Sequence, residues 1–141
     1  MHQDTFLNFE YDIWYDTLHG NKWNLERPSD IFSQSSFRTY QNSSNYSDLR
    51  QFKSDVDALN AAEWAAISLT GMATFKILRA AVVSHAAISS GGALTTQAIN
   101  SIISAIGATS AAGVAIGVVC STYNDCNISY KKAFNDTNNI H

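Results

Sequence analysis

Charge is the property that this sequence has least of. Only 15% of its 141 residues are charged, against roughly 25% in typical soluble domains. The shortfall is local, because no side chain from residue 80 to residue 124 carries a fixed charge and His85 alone there titrates near neutrality. The chain therefore divides into a polar, aromatic N-terminal half and an apolar C-terminal half.

Clusters of Lys and Arg are absent too. The formal net charge is −3, which gives no electrostatic basis for binding DNA or RNA. The N-terminus lacks the basic and apolar regions of a signal peptide, so we expect either a cytosolic chain or a mature or excised segment of a secreted one. The length suits a single domain, which we predict to span residues 1–141.

Motifs of catalytic and metal centres are also missing. The four histidines are His2, His19, His85 and His141. None is spaced as a metal-binding pair, and the two cysteines lack a second Cys/His pair. No Ser or Cys lies in a nucleophile elbow, and residues 89–92 lack the Lys of a phosphate loop. We therefore expect no enzyme activity, no metal and no cofactor.

The N-terminal segment, residues 1–47, is expected to hold one or two short helices. Residues 4–18 place apolar side chains at helical spacing, namely Leu7, Tyr11, Trp14 and Leu18. Three carboxylates would share this helix: Glu10, Asp12 and Asp16. They would form a solvated face, or else hold a cation or act in acid/base chemistry. Residues 33–47, rich in Ser, Asn and Gln, are predicted to be a loop.

Residues 48–141 are predicted to be a helical bundle. Apolar periodicity predicts helices over about 47–69, 72–88 and 94–106, followed by an apolar stretch at 111–119 and a short closing helix. The β-branched residues at 114–119 leave a buried strand as the alternative for that stretch. The predicted fold class is all-α, a compact helical bundle around a central Ala/Gly-rich hairpin at residues 80–119.

The hairpin is the feature on which a functional hypothesis depends. Residues 93–119 are uncharged and long enough to cross a hydrocarbon layer, which takes about 20 residues. Gly91 and Gly92 mark its turn, whereas Gly107, Gly113 and Gly117 would let helices approach closely. The alternative is that the hairpin is only the buried centre of a soluble bundle.

Two further sites are candidates for regulation and cross-linking. His85 lies on an apolar stretch, either as a satisfied core histidine or as a pH trigger whose protonation would penalise burial. Cys120 and Cys126 would form a disulfide if the chain turned at residues 123–125.

The run from Ala80 to Val119, with its Ser89-Ser90-Gly91-Gly92 turn, resembles the apolar hairpin of colicin-type channel domains. The aromatic segment at residues 11–16, together with the apolar segment ending in Cys120 and Cys126, is similar to yeast killer toxins. These resemblances imply a secreted, non-enzymatic toxin that inserts its hairpin into a target membrane. Its expected partners are membrane lipid and a receptor, immunity protein, second toxin subunit or further copy of the chain. The alternative is a helical protein–protein interaction module without membrane activity.

Overall fold

The structure is a computed structural model that describes residues 1–137, so His141 lies outside the described residues. Its elements are β1 (His2–Gln3), β2 (Glu10–Asp16), β3 (Gly20–Glu26), β4 (Ser36–Tyr40), α1 (Tyr46–Thr70), α2 (Met72–Ile88), a 3₁₀ turn (Ser90–Gly92), α3 (Thr96–Ile106) and α4 (Ser110–Asn135). The strands form one antiparallel sheet in the order β1-β2-β3-β4. The fold is therefore mixed α and β, and the all-α prediction is wrong.

The predicted helix at residues 4–18 is instead an irregular turn followed by strand β2. Tyr11 is 3% exposed and Trp14 is 40% exposed, because successive side chains of a strand point to opposite faces of the sheet. A helix would have placed both on one apolar face. Tyr11 pairs across the sheet with Leu25, and the burial of such pairs stabilises the strand more than the local helical pattern does.

The predicted loop at residues 33–47 contains β4. Phe37 and Thr39 are buried and alternate with exposed or half-buried neighbours. Phe37 lies opposite Leu25, and Thr39 lies opposite Trp23. A five-residue strand with only one large side chain on its buried face gives a weak alternating signal, which is why the polar composition misled the prediction.

The helices of the C-terminal part agree better with the sequence. The three predicted helices over 47–69, 72–88 and 94–106 are confirmed as α1, α2 and α3. Thr95 caps α3, since its hydroxyl accepts a hydrogen bond from the Ala98 N–H at 3.1 Å. The apolar stretch at 111–119 and the closing helix are one continuous helix, α4, so the alternative of a strand at 114–119 is wrong.

The core lies between the inner face of the sheet and the two long helices, α1 and α4, which pack on each other. Phe9 meets Tyr123 edge to face at 5.4 Å between ring centroids, and Phe37 meets Tyr130 at 5.2 Å. These pairs join the strand region to α4. The prediction that the 80–119 hairpin lies at the centre of the fold is therefore wrong, because large aromatic side chains from other parts of the chain occupy the centre.

Candidate functional site

The charge-free segment lies largely at the surface. Half of the positions from 80 to 119 are exposed, on three helices of which α3 contacts both α2 and α4. The exposed helical residues are Ala80, Ser84, Ala87, Ile88, Thr96, Gln97, Asn100, Ser101, Ser104, Ala105, Ser110, Ala111, Val114 and Val118. We call this set the uncharged face. At one end of the set, Ala80 and Ser84 share a surface cleft with Asp30, Lys76 and Arg79, whereas the exposed residues of α3 and the first part of α4 include no charged side chain.

Helix α3 shows how the face arises. Ile102 is buried, and Ile99, Ile103 and Ile106 pack partly against the core, whereas Ser, Asn and Gln occupy the outer side. On α4 the outer side is more apolar, with Val114 69% and Val118 46% exposed. Within residues 1–137, no helix combines the length and the hydropathy needed to cross a bilayer.

Gly91 and Gly92 form the turn between α2 and α3, as expected, and α4 holds that turn in place. Both residues have positive φ, +66° and +70°. The Gly92 carbonyl accepts a hydrogen bond from the buried Tyr123 hydroxyl at 2.7 Å, and the Gly91 carbonyl accepts one from Asn127 at 2.9 Å. A Cβ on Gly92 would overlap the Phe32 ring. Both residues therefore need glycine for their conformation, and Gly92 needs it for space as well.

The three glycines expected to mediate helix association have different roles. Gly107 ends α3 in the left-handed conformation, with φ +67°. Gly113 packs within the molecule, since a Cβ there would lie 3.5 Å from Ile103 Cγ2. Gly117 faces open space. Gly113 and Gly117, four residues apart on α4, therefore do not present one common free surface, although Gly117 remains available to a partner.

His85 is half-buried in the last turn of α2. It is thus not enclosed in the core, and its role as a pH trigger stays a prediction. Cys120 and Cys126 are both buried free thiols on α4. The expected turn at 123–125 is helical, which separates the two residues by about 9 Å along the axis. A disulfide needs Cα atoms within about 7 Å, so the disulfide hypothesis is wrong for this fold.

A second site, which the sequence analysis did not identify, lies on the outer face of the sheet. His2 pairs with Asp12 across β1 and β2, and Glu10 lies on the same face two residues before Asp12. His2 Nδ1 is 2.6 Å from Asp12 Oδ1, and His2 Nε2 is 3.6 Å from Glu10 Oε1. One potential ligand atom from each of the three residues lies within 4.8 Å of the others. We call these three residues the His2 cluster.

The His2 cluster concentrates negative charge. Glu10 lies opposite Glu26 in the register of β2 and β3. Partial burial and a hydrogen bond shared with Glu26 raise the pKa of Glu10 to about 7. The hydrogen bond with Asp12 raises the pKa of His2 above its usual value. The expected grouping of Glu10 and Asp12 is present, but on a strand and completed by a histidine. Asp16 lies apart, 3.4 Å from His19 and accepting a hydrogen bond from Tyr40 at 3.0 Å.

One buried carboxylate was not singled out by the sequence analysis. Glu63 on α1 is fully buried, and its two oxygens accept hydrogen bonds from the N–H groups of Phe6 and Leu7 at 3.0 and 2.9 Å. Burial nevertheless dominates and raises the pKa of Glu63 to about 7, opposed by those two hydrogen bonds and by Arg79. Glu63 thus anchors the β1–β2 connection to α1.

Linear spacing could not reveal either site, since strand pairing brings His2 to Asp12 and tertiary packing brings Glu63 to Phe6. The comparisons with known proteins supply no assignment for them. No protein-family model matches the chain, and no curated protein or solved structure shows significant similarity to it.

Proposed function

We propose that the protein is a self-associating interaction module whose uncharged face packs against the same face of a second copy. The observation that carries this proposal is the solvent exposure of half the positions in the charge-free segment. Buried in a core, such residues would need no partner. Placed on the surface of three contiguous helices, they form a region with few of the charged groups that oppose protein association.

A second copy is the occupant that the charge distribution favours. In a two-fold interface the same surface meets itself, so a charge near the axis would face its own copy, and any other charge would need an opposite charge elsewhere on the same surface. The uncharged face avoids that repulsion entirely. A partner recognised by electrostatic complementarity would instead need charged groups on the face, and it has none. Its Ser, Thr, Asn and Gln side chains supply hydrogen bonds, while Val114 and Val118 supply apolar contact.

Membrane permeabilisation, as in the toxin hypothesis, is the second candidate function. The observation in its favour is that α2 and α3 lie between glycines with positive φ, Gly71 at +86° and Gly107 at +67°. Backbone rotation there would let the two helices swing away from α1 and α4. The face itself supports this candidate less well, because it lacks the Trp, Tyr, Lys and Arg that anchor helices at a lipid surface.

The test is sedimentation equilibrium of the parent chain and of a Val114→Lys/Val118→Lys double variant. Both side chains are exposed, so the variant keeps its fold, which circular dichroism checks. We expect the parent to form a dimer and the variant to dissociate at least ~100-fold more readily, because like charges then meet across the interface. Leu69→Lys on α1, also at an exposed position, is the matched control and leaves the dimer unchanged.

The result that would refute self-association is a parent chain that stays monomeric at the highest concentration attainable. A dimer that tolerates Lys at both valines would refute the assigned face. The same two proteins, added to liposomes filled with a self-quenching dye, test the second candidate. Leakage caused by a monomeric parent and reduced in the double variant would support permeabilisation over self-association.

A further inference from the structure

The His2 cluster combines donors that suit a metal ion. It offers one imidazole nitrogen and two carboxylate oxygens, and it is held by the pairing of β1 with β2. Zinc binds imidazole and carboxylate donors at about 2.0–2.2 Å, which places tetrahedral ligand atoms about 3.3 Å apart. The 3.6 Å between His2 Nε2 and Glu10 Oε1 is close to that spacing.

The second observation is the charge that surrounds the cluster. Asp4 lies 3.9 Å from His2 Nε2, and Glu26 lies opposite Glu10. Among the described residues, His2 is the only side chain that forms ion pairs with Asp4, Glu10 or Asp12. Like charges directly opposite each other on neighbouring strands destabilise a sheet. A divalent cation would compensate this excess, which a single histidine does only when protonated.

We propose that His2, Glu10 and Asp12 form a binding site for a divalent transition-metal ion, with zinc as its best representative. Imidazole nitrogen favours zinc and its neighbours in the first transition row, whereas calcium and magnesium prefer sites built from oxygen alone. The hydrogen bond between His2 Nδ1 and Asp12, 2.6 Å long, orients the imidazole and leaves Nε2 to bind the ion. Asp12 is then the positioning residue of the site, and Asp4 lies close enough to Nε2 to act as a third donor beside His2 and Glu10.

A bound ion would link the two-residue strand β1 to β2. That edge otherwise depends on two antiparallel residue pairs and on hydrogen bonds between Met1 and Ile13, each 2.8 Å long. The inference is independent of the proposed self-association, because the outer sheet face and the uncharged face share no residue.

The test is competition between the full chain and a chromophoric zinc chelator, with zinc as the titrant and calcium and magnesium in parallel. We expect stoichiometric zinc binding that is at least ~10-fold weaker in each of His2→Gln, Glu10→Gln and Asp12→Asn. The matched controls are Asp16→Asn and His19→Gln, which alter a similar His–carboxylate pair at the other end of β2. They leave zinc affinity unchanged.

Amide hydrogen exchange supplies the second readout. Zinc slows exchange at Gln3 and Ile13 in the parent chain, since the ion holds β1 on β2, and it has no effect in Asp12→Asn. Three results would overturn the proposal: no zinc binding by the folded parent, equal weakening in the Asp16→Asn control, or calcium binding as tight as zinc. The last of these would reduce the cluster to a general patch of negative charge.

Discussion

Glu63 makes the stability of this protein depend on pH in a direction opposite to that of a typical salt-bridged carboxylate. Its pKa is about 7 in the folded chain, against a reference value of 4.5. Because the folded form binds the proton more tightly, the contribution of Glu63 is fully present below pH 4.5 and is lost as pH rises through 7. Acidification from neutral pH should therefore stabilise the fold.

The size of the effect follows from the two pKa values. A difference of about 2.5 pKa units corresponds to about 3 kcal/mol in the free energy of unfolding. The side chain is fully buried, so solvent screening does not reduce this figure greatly. A Glu63→Gln variant has no proton to gain or lose, and its stability should vary with pH by about 3 kcal/mol less between pH 4.5 and pH 7.5.

Urea denaturation at those two pH values, followed by tryptophan fluorescence, measures the difference. With a denaturant slope of about 1–3 kcal/mol per molar urea, the parent midpoint should fall by roughly 1–3 M more than that of Glu63→Gln on raising the pH. Glu10, whose pKa is also about 7, adds the same pH dependence to the stability of both proteins, so its effect cancels when their midpoints are compared.

Asp55→Asn is the control for this experiment. Asp55 lies on the same helix, half-buried, and accepts a hydrogen bond from Gln51. The variant should keep the full pH dependence of the parent. The reasoning would be refuted if Glu63→Gln also kept the full pH dependence, or if the parent became more stable as the pH rose from 4.5 to 7.5. Either result would mean that the two backbone hydrogen bonds to Glu63 outweigh its desolvation.

The other predictions concern α4 and the glycine turn. Gly92→Ala should lower the free energy of unfolding by about 1–3 kcal/mol, since φ is +70° and the new Cβ meets Phe32. Gly117→Ala should raise the free energy of unfolding by about 0.5–1 kcal/mol, because Gly117 lies in a helix and faces open space. Urea titration measures both changes. Tyr123→Phe should be about 1–2 kcal/mol less stable, because the Gly92 carbonyl loses its donor; no change in the urea midpoint would contradict this. Cys120 and Cys126 should react with a thiol reagent only after unfolding. Burial raises the pKa of the Cys120 thiol to about 12 and the pKa of the Cys126 thiol well above its usual value. Rapid reaction of the folded chain would contradict this prediction, because it would show that the thiols are accessible.

The helices were predictable because their signals are strong and local. Leu49, Phe52, Val56 and Leu59 repeat at three- and four-residue intervals along α1, and all four are fully buried. Helices α1 and α3 end at Thr70 and Ile106, close to the predicted ends at residues 69 and 106. A helix of 11 to 25 residues, as in α1, α2 and α3, repeats its pattern over three or more turns, so errors at single positions do not change the assignment.

The sheet could not be found in the same way. In β2, Tyr11 and Trp14 happen to match a helical spacing of three residues, although they lie on opposite faces of the strand. What distinguishes the two assignments is the pairing of Tyr11 with Leu25 and of Leu25 with Phe37. Those contacts join separate strands, and a periodicity count within one segment does not include them. The His2 cluster depends on the same pairing and was missed for the same reason.

The position of the core was misjudged because absence of charge was taken as a sign of burial. Ala, Ser, Thr and Gly gain little from leaving water, so they occur on a surface or in a core with similar ease. The free energy of burial comes mainly from large side chains, at about 25 cal/mol per Å² of apolar area. Of the largest fully buried side chains only Ile102 and Ile116 lie within residues 80–119, whereas Trp23, Tyr123 and Tyr130 lie outside. The centre of the fold follows the large residues, and the charge-free segment is left free to form a surface.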